Sequence, residues 1–465
     1  MAEPDRGSTA AFADVPTFVR GLAFADLPEP VAVSARRSLL DLIGVAAAGS
    51  RTRAAAIAST YAATQLCGSE RSARILFDGR RSGMAGAAFA GAMTIDAIDG
   101  HDGHALTKGH AGVALLPALL ALIDSERAGE AAYRVDGPEF ITCFVLGYEI
   151  ATRAGIALHA TVADYHCSGA WNAQGCAAIA SRLLAFDDMR TRHAFGVAEY
   201  FGPRGQILRA CDSPTMVKDG SCWGAHAGIS AALLAAEGFT GVPAVTVEDD
   251  AVIELWADLG SRWRILEQYF KSYPVCRWAQ PAIEAALELK RAHAFSAAEI
   301  ASIVIESFSE AVALGSRCAM PRTTEEAQYS LAFPVAAALV CGRIGVDEVS
   351  ARGLTDPRVR RLVAMIRAEE SAEFSRRFPA ERWARVRIEL ADGRMLVSEP
   401  AQARGGPENP LGDDELRAKY RELAAPVIGV ARAERIEHAV GALTVEQSAL
   451  PTLLEDLLQP AVQRH

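Results

Sequence analysis

Apolar positions dominate long stretches of the first 265 residues, and they recur on several faces of a 3.6-residue period rather than on one. Alanine and leucine, both strong helix formers, supply most of them. The pattern predicts helices over 30–48, 82–98, 112–126, 138–159, 170–186, 189–200 and 222–237, with glycine turns such as Gly238-Phe239-Thr240-Gly241 closing several. Helices that are apolar on most faces, as in GISAALLAAEGF, belong inside a large bundle. The longest uninterrupted apolar run, Ala111 to Ile123, has 13 residues and contains Pro117. No run therefore reaches the roughly 18 residues expected of a membrane helix.

The pattern changes after about residue 266. Ile300 to Glu306 (IASIVIE) is β-branched and strand-like. From Arg385 to Glu399 the signal is a hairpin: Val386, Ile388 and Leu390 alternate with Arg387 and Glu389, Asp392-Gly393 turns, and Met395-Leu396-Val397 returns. Helices are expected near 278–292, 324–342 and 355–368. A Gly/Pro-rich linker, Arg404 to Asp414, follows, with Asp413 or Asp414 placed to cap a helical tail over 414–460. A chain of 465 residues exceeds what one core normally serves. The expected fold class is mainly α: a large all-α domain made of 1–266 plus 401–465, with a smaller α+β domain, 267–400, inserted.

Charge narrows the function classes. Acids outnumber bases 57 to 47, a net charge of −10, which argues against a nucleic-acid binder. Of the 47 bases only five are lysine: Lys108, Lys218, Lys271, Lys290 and Lys419. The nine cysteines form no CxxC pair, and the N-terminus lacks a basic region followed by an apolar one. Reduced thiols that mostly fill the core, and a cytoplasmic location, are expected. Cys167 and Cys276 stand beside candidate site residues.

The densest polar cluster is Asp99-Gly100-His101-Asp102-Gly103-His104, followed by Lys108 and His110. Polar groups crowded between apolar helices favour a cleft over a solvated loop. Asp and His at this spacing suit either metal binding, as in helical HD-type metal phosphohydrolases using His101 and Asp102, or metal-free acid–base chemistry. A second cluster, Asp164 to Gly169 with His166, precedes a helix whose N-terminus would favour an anion. Lys218 and Lys271 lie in two more clusters, TMVKDG and KSYPVCR. Lysine can serve as a base when burial lowers its pKa, which guanidinium cannot. Lys290 and Lys419, in charged helical contexts, read as surface lysines. Neither GxGxxG, GxxxxGK[ST] nor GxSxG occurs, so nucleotide, nicotinamide and flavin cofactors are not expected, and no metal is assigned.

These clusters, in this order, resemble the MmgE/PrpD family. The resemblance rests on DLIGVAAAG, IDGHDGHALTKGHAGVALLPALLAL, LGYEIATR, YHCSGAWNAQGCAAIA, TMVKDG, GFTG, FKSYPVCRWAQPAIEAA and PENPLGDDELRAKY. It implies a helical domain with an α+β lid, a homodimer, no cofactor, and a small di- or tricarboxylate substrate. By the same resemblance Asp99, His110, His166, Lys218 and Lys271 are the catalytic candidates, and Asp102, Lys108 and Arg277 are candidates for binding substrate. Arg277 is the one suited to a bidentate grip on a carboxylate. Known activities of the family are 2-methylcitrate dehydration, cis-aconitate decarboxylation and iminodisuccinate epimerisation. Gly103 stands where the family often has Thr, His101 where a further acid is common, and Phe333 where decarboxylase-like members carry Tyr. The two missing hydroxyls favour an epimerase of an amino-dicarboxylate such as iminodisuccinate, with 2-methylcitrate dehydratase or a related lyase as the alternative within the family.

Overall fold

A computed structural model describes residues 14–68, 71–127, 135–316, 318 and 320–461. Helix accounts for 58% and strand for 9%, so the chain is mainly α. The seven helices read from the first half are present, as Glu29–Gly49, Met84–Asp96, Gly112–Arg127, Gly137–Thr161, Gly169–Leu183, Asp188–Phe201 and Ser221–Ala236. Local chemistry sets their starts: Asp136 accepts the Glu139 N–H at 2.8 Å and Asp187 that of Arg190 at 2.8 Å, each satisfying a donor that the first turn leaves open. Small residues let the central helices touch. A Cβ on Gly224 would lie 2.1 Å from Asn172 Oδ1, and one on Gly228 would lie 2.3 Å from the Ala173 carbonyl oxygen.

Gly137–Thr161 corrects the expectation drawn from apolar runs. It is long and apolar enough to cross a membrane by length and composition, although charged residues interrupt it; 94% of its most apolar window is buried inside the fold, as in a core helix. Two of those charges are matched within the protein. Arg153 pairs with Glu149 at 2.5 Å and with Asp258 at 2.6 Å, and Glu149 accepts the backbone N–H groups of Arg264 and Ile265. This buried network fixes the segment that runs on to Lys271.

One apolar core draws on residues from Val15 to Ile265 and again from Tyr420 to Leu458. A second draws on Val275 to Leu396 together with Ile207 and Cys211. The second holds a sheet in which Ile366–Glu370, Ile300–Ser307, Trp383–Leu390 and Met395–Val397 are neighbours in that order, and Ala401–Gln402 also pairs with Trp383–Leu390. The hairpin forms as read, with Ile388 opposite Leu396 and Gly393 at φ +87°. The expected helix over 355–368 does not continue: Pro357–Val363 is helical, and Ile366–Glu370 becomes a mostly exposed edge strand parallel to Ile300–Ser307. Its charged IRAEE sequence carries no strand pattern, and pairing with a neighbour decides its state. The span 324–342 divides into Thr324–Gln328 and Ala332–Cys341, which leaves Tyr329 in the break. The last long linker ends at Gly412, not at an aspartate cap; Asp413 and Asp414 occupy the first turn, and Glu415 accepts the Gly412 N–H at 2.8 Å.

Candidate active site

The acidic loop connects Met84–Asp96 to Gly112–Arg127. Gly103 and His104 form a short antiparallel ladder with Tyr269 and Gln268, and this ladder brings Lys271 to the loop. Lys271 Nζ donates to Asp99 Oδ1 at 2.5 Å and to the Asp99 carbonyl at 3.3 Å, with both side chains sealed from solvent. Burial alone would raise the Asp99 carboxyl, but the charges of Lys271 and Lys218, with His101 and His110, hold it well below the usual carboxylate range. Burial alone would lower Lys271; Asp99 outweighs it and keeps the ammonium above its ordinary value. The two form a buried ion pair.

Gln328 ties Lys218 into the same cluster. Its Oε1 accepts the Asp99 N–H at 2.8 Å and Lys218 Nζ at 2.7 Å, while its Nε2 donates to the Ala97 carbonyl and to Thr324 Oγ1. Lys218 sits in a left-handed conformation, φ +52°, in the turn before Ser221–Ala236, and its Nζ lies 4.8 Å from the centre of the Tyr329 ring. It also lines a cavity of about 870 Å³ bordered by Met93, Cys167, Gln206, Ile207 and Trp223.

His110 lies edge-on to His101, with ring centres 4.4 Å apart. Its Nδ1 is 2.5 Å from the Asp102 carbonyl oxygen, which can only accept, so Nδ1 carries the proton. Burial first, then the charges of Lys271 and His101, push His110 well below the usual histidine range. The ring is therefore neutral, and its Nε2 lone pair has no hydrogen-bond partner among the described residues. The His110 N–H donates to Ser168 Oγ at 2.8 Å, and Ser168 in turn hydrogen-bonds Asp219. Burial and the neighbouring Asp96 push Asp219 up to about 8, against the hydrogen bonds from Ser168. Asp219 sits at the N-terminus of Gly169–Leu183: the Ser168 N–H donates to its Oδ1 at 3.1 Å.

The remaining candidates are placed differently. Asp102 turns away from Lys271, and its Oδ2 accepts the Tyr148 hydroxyl at 2.6 Å. Burial raises it to about 6. His166 is half-buried, with Nδ1 3.3 Å from the Arg204 carbonyl and its N–H donating to His159 Nε2; among the described residues it makes no hydrogen bond to the Asp99–Lys271 pair. Lys108 lies 4.5 Å from the centre of the Tyr165 ring. Arg277 is engaged with the protein itself, donating to the Arg404 carbonyl at 2.6 Å, the Ala403 carbonyl at 3.2 Å and Gln280 Oε1 at 3.2 Å. This corrects its reading as a free bidentate grip. The two presumed surface lysines are also anchored. Lys290 donates to the Leu339 carbonyl, and Lys419 reaches Asp41 at 2.5 Å and the Gly100 carbonyl at 2.7 Å, bracing the acidic loop from behind. Burial pushes the Cys167 and Cys276 thiols up to about 12, so neither is a thiolate near neutral pH.

Asp99, His101 and His110 have possible ligand atoms within 4.8 Å of one another. The cation already seated against Asp99 is Lys271. An HD-type site needs His101 and Asp102 to converge, and they diverge: His101 Nε2 lies 3.4 Å from Asp96 Oδ1, whereas Asp102 faces Tyr148. The dipeptide does not form a metal-binding pair in this fold.

Sequence reasoning missed Gln328, Tyr269, Tyr329, Ser168, Asp219 and Arg382. Tyr269 is the most consequential. A Cβ on Gly103 would lie 2.5 Å from the Tyr269 hydroxyl oxygen and 2.7 Å from His110 Nδ1. The Tyr269 phenol thus fills the space beside Gly103 where a longer side chain would reach. Burial raises its pKa against the pull of Lys271, Arg382 and Arg277, so it stays protonated. Phe333 is sealed in the second core, and Tyr329, one turn earlier, is the tyrosine that reaches Lys218. Nothing in the chain beside Tyr269 singles it out, because its partner Gly103 is 166 positions away.

The family model for the MmgE/PrpD N-terminal domain matches residues 13–258, and that for the MmgE/PrpD C-terminal domain matches residues 273–444. The chain is 27% identical over 469 aligned residues to the cis-aconitate decarboxylase-like protein oryM of Aspergillus oryzae, spanning 94% of this chain and 95% of that protein. It is 24% identical to a cis-aconitate decarboxylase of Aspergillus terreus, spanning 97% of this chain and 96% of that protein.

Proposed function

With the chain belonging to the MmgE/PrpD family, we propose that it is a cofactor-independent lyase that decarboxylates a small unsaturated polycarboxylate. The observation that carries the reading is the sealed Asp99–Lys271 pair beside a neutral His110 and the protonated Tyr269. The similarity over nearly full length to proteins named as cis-aconitate decarboxylases supports it. In such a step the bond to the departing carboxylate breaks and its electron pair forms a new double bond. The old double bond accepts a proton at the carbon beside a remaining carboxylate. Lys271 and Lys218 offset the developing enolate-like charge in a dry site, where fixed cations act strongly. Lys271 serves as a cation rather than a base, because Asp99 keeps it charged. Tyr269 delivers the proton and is replenished from solvent, and His110 Nε2 orients the reacting group. Residues 267–400 act as the lid. The test is cis-aconitate in D₂O followed by NMR. One deuterium per CO₂ released, on the carbon beside a carboxylate, is expected; no CO₂ and no product would sink the lyase reading.

The second reading is the epimerase of an amino-dicarboxylate such as iminodisuccinate. Phe333 favours it, since no phenol is offered at that position. The Tyr269 hydroxyl beside Gly103 weakens the other half of that argument. Inversion or exchange at the stereocentre in D₂O, without CO₂ release, would decide for it.

A further inference from the structure

Arg382 is a buried cation with no acid to match it. It immediately precedes the strand Trp383–Leu390 and is 8% exposed. Other buried arginines in this fold are matched: Arg153 by Glu149 and Asp258, Arg264 by Asp258 and Glu267, and Arg277 by oxygen acceptors on three sides. Among the described residues Arg382 makes one hydrogen bond, from Nη2 to the Ala105 carbonyl at 3.3 Å. Its Nε is inaccessible and unpartnered. Among the described residues no carboxylate lies within ion-pair distance of it. Burying an unpaired charge costs several kcal/mol, so a fold that holds one there holds it for a counter-ion.

The place of Arg382 identifies that counter-ion. Its guanidinium lies 5.9 Å from the centre of the Tyr269 ring, and the hydroxyl of the same tyrosine lies against Gly103 and His110. Arg382 therefore lies over the ring of the tyrosine whose hydroxyl fills the space beside Gly103. We propose that Arg382 is the specificity-determining residue of the site and binds a substrate carboxylate that does not react, through the planar, two-pronged geometry that guanidinium offers and ammonium does not. The assignment rests on the polycarboxylate reading above. Arg277, the arginine that motif reasoning favoured, lies closer to the same ring, 4.5 Å from its centre, but its N–H groups are taken up by the Ala403 and Arg404 carbonyls and Gln280 Oε1. The assignment also requires a substrate with at least three carboxylates: the one that departs, the one beside the protonated carbon and the one at Arg382.

The test is calorimetric titration of the full chain with two non-reacting probes, tricarballylate and 2-methylsuccinate, which lacks one terminal carboxylate. Wild type is expected to prefer tricarballylate by about tenfold or more, the scale of one charge-assisted contact. Arg382→Gln is expected to remove that preference while binding 2-methylsuccinate as wild type does, a pattern that a merely structural loss would not give. If Arg382→Gln does not fold, Arg382→Lys carries the test, keeping the charge and reducing the preference. Wild-type preference persisting in whichever variant folds overturns the assignment and leaves the polycarboxylate reading standing. A wild type that binds neither probe overturns both.

Discussion

The Tyr269 hydroxyl and the α-carbon of Gly103 share one small volume: a methyl group on Gly103 would stand 2.5 Å from that oxygen. Gly103→Ala should therefore push the phenol aside, and Tyr269→Phe should remove its proton. Each is expected to lower kcat by about a hundred- to ten-thousandfold, the range of a positioned proton donor, with a smaller change in KM. Because both act on one group, the double variant should be hardly worse than either alone. Additive losses in steady-state kinetics would mean that the two positions act separately.

Lys271→Met leaves the Asp99 carboxylate buried without its nearest cation. A loss of about 3–5 kcal/mol in unfolding free energy is expected, as when one member of a buried pair is removed. Replacing both, Lys271→Met with Asp99→Leu, should restore much of that stability but no activity. Urea unfolding of the three proteins checks this.

Stability should decline as pH rises toward 8. Asp219 is raised from 3.8 to about 8, so the folded protein keeps a proton that the unfolded chain releases. Its contribution is whole below about pH 4 and is lost as pH climbs through 8. His110 acts in the opposite direction, since it is neutral when folded and its ordinary value is 6.5; its effect ends near that pH. Asp102, raised to about 6, has also finished by then. Between pH 6.5 and 8 the wild-type unfolding free energy is expected to fall by up to about 1.4 kcal/mol per pH unit. Asp219→Asn should flatten that decline, as read by melting temperature across that window.

Gln328→Leu preserves bulk while removing the acceptor shared by the Asp99 N–H and Lys218. A fall in kcat of about a hundredfold is expected, the cost of a small misplacement at a reacting centre. Circular dichroism should stay unchanged. A near-wild-type rate would show that Lys218 is held by other contacts.

Cys167 and Cys276, both raised to about 12, should resist iodoacetamide at pH 7.5. The exposed Cys67 and Cys341 should label first. Peptide mass spectrometry gives the order directly.

The helices of the first half were legible because each carries its own apolar pattern, two of them with an aspartate cap as well, and short-range chemistry decides such elements. The hairpin around Gly393 was legible for the same reason. Ile366–Glu370 was not, since only its parallel neighbour makes it a strand. The site divides along the same line. Asp99, His110, Lys218 and Lys271 announce themselves as rare polar residues in apolar surroundings. Gln328, Tyr269 and Arg382 carry no such mark: a buried glutamine, one tyrosine of nine and one arginine of 42 become distinct only through partners far away in sequence. Lys290 and Lys419 show the converse. Charged neighbours in the chain suggested a surface, while the anchoring carbonyls came from another helix and from the acidic loop.

Lys271 reaches Asp99 across 172 positions, and the Gln328 contact spans 229. As the chain leaves the ribosome, the acids Asp96, Asp99 and Asp219 are all made before the lysine that balances Asp99. A nascent chain that stops short of residue 271 can collapse its helices but cannot close the bundle around that carboxylate with its nearest cation in place. The Asp99–Lys271 ion pair thus acts as a late checkpoint of synthesis, and truncated products should remain open and accessible to proteases where the complete chain is sealed.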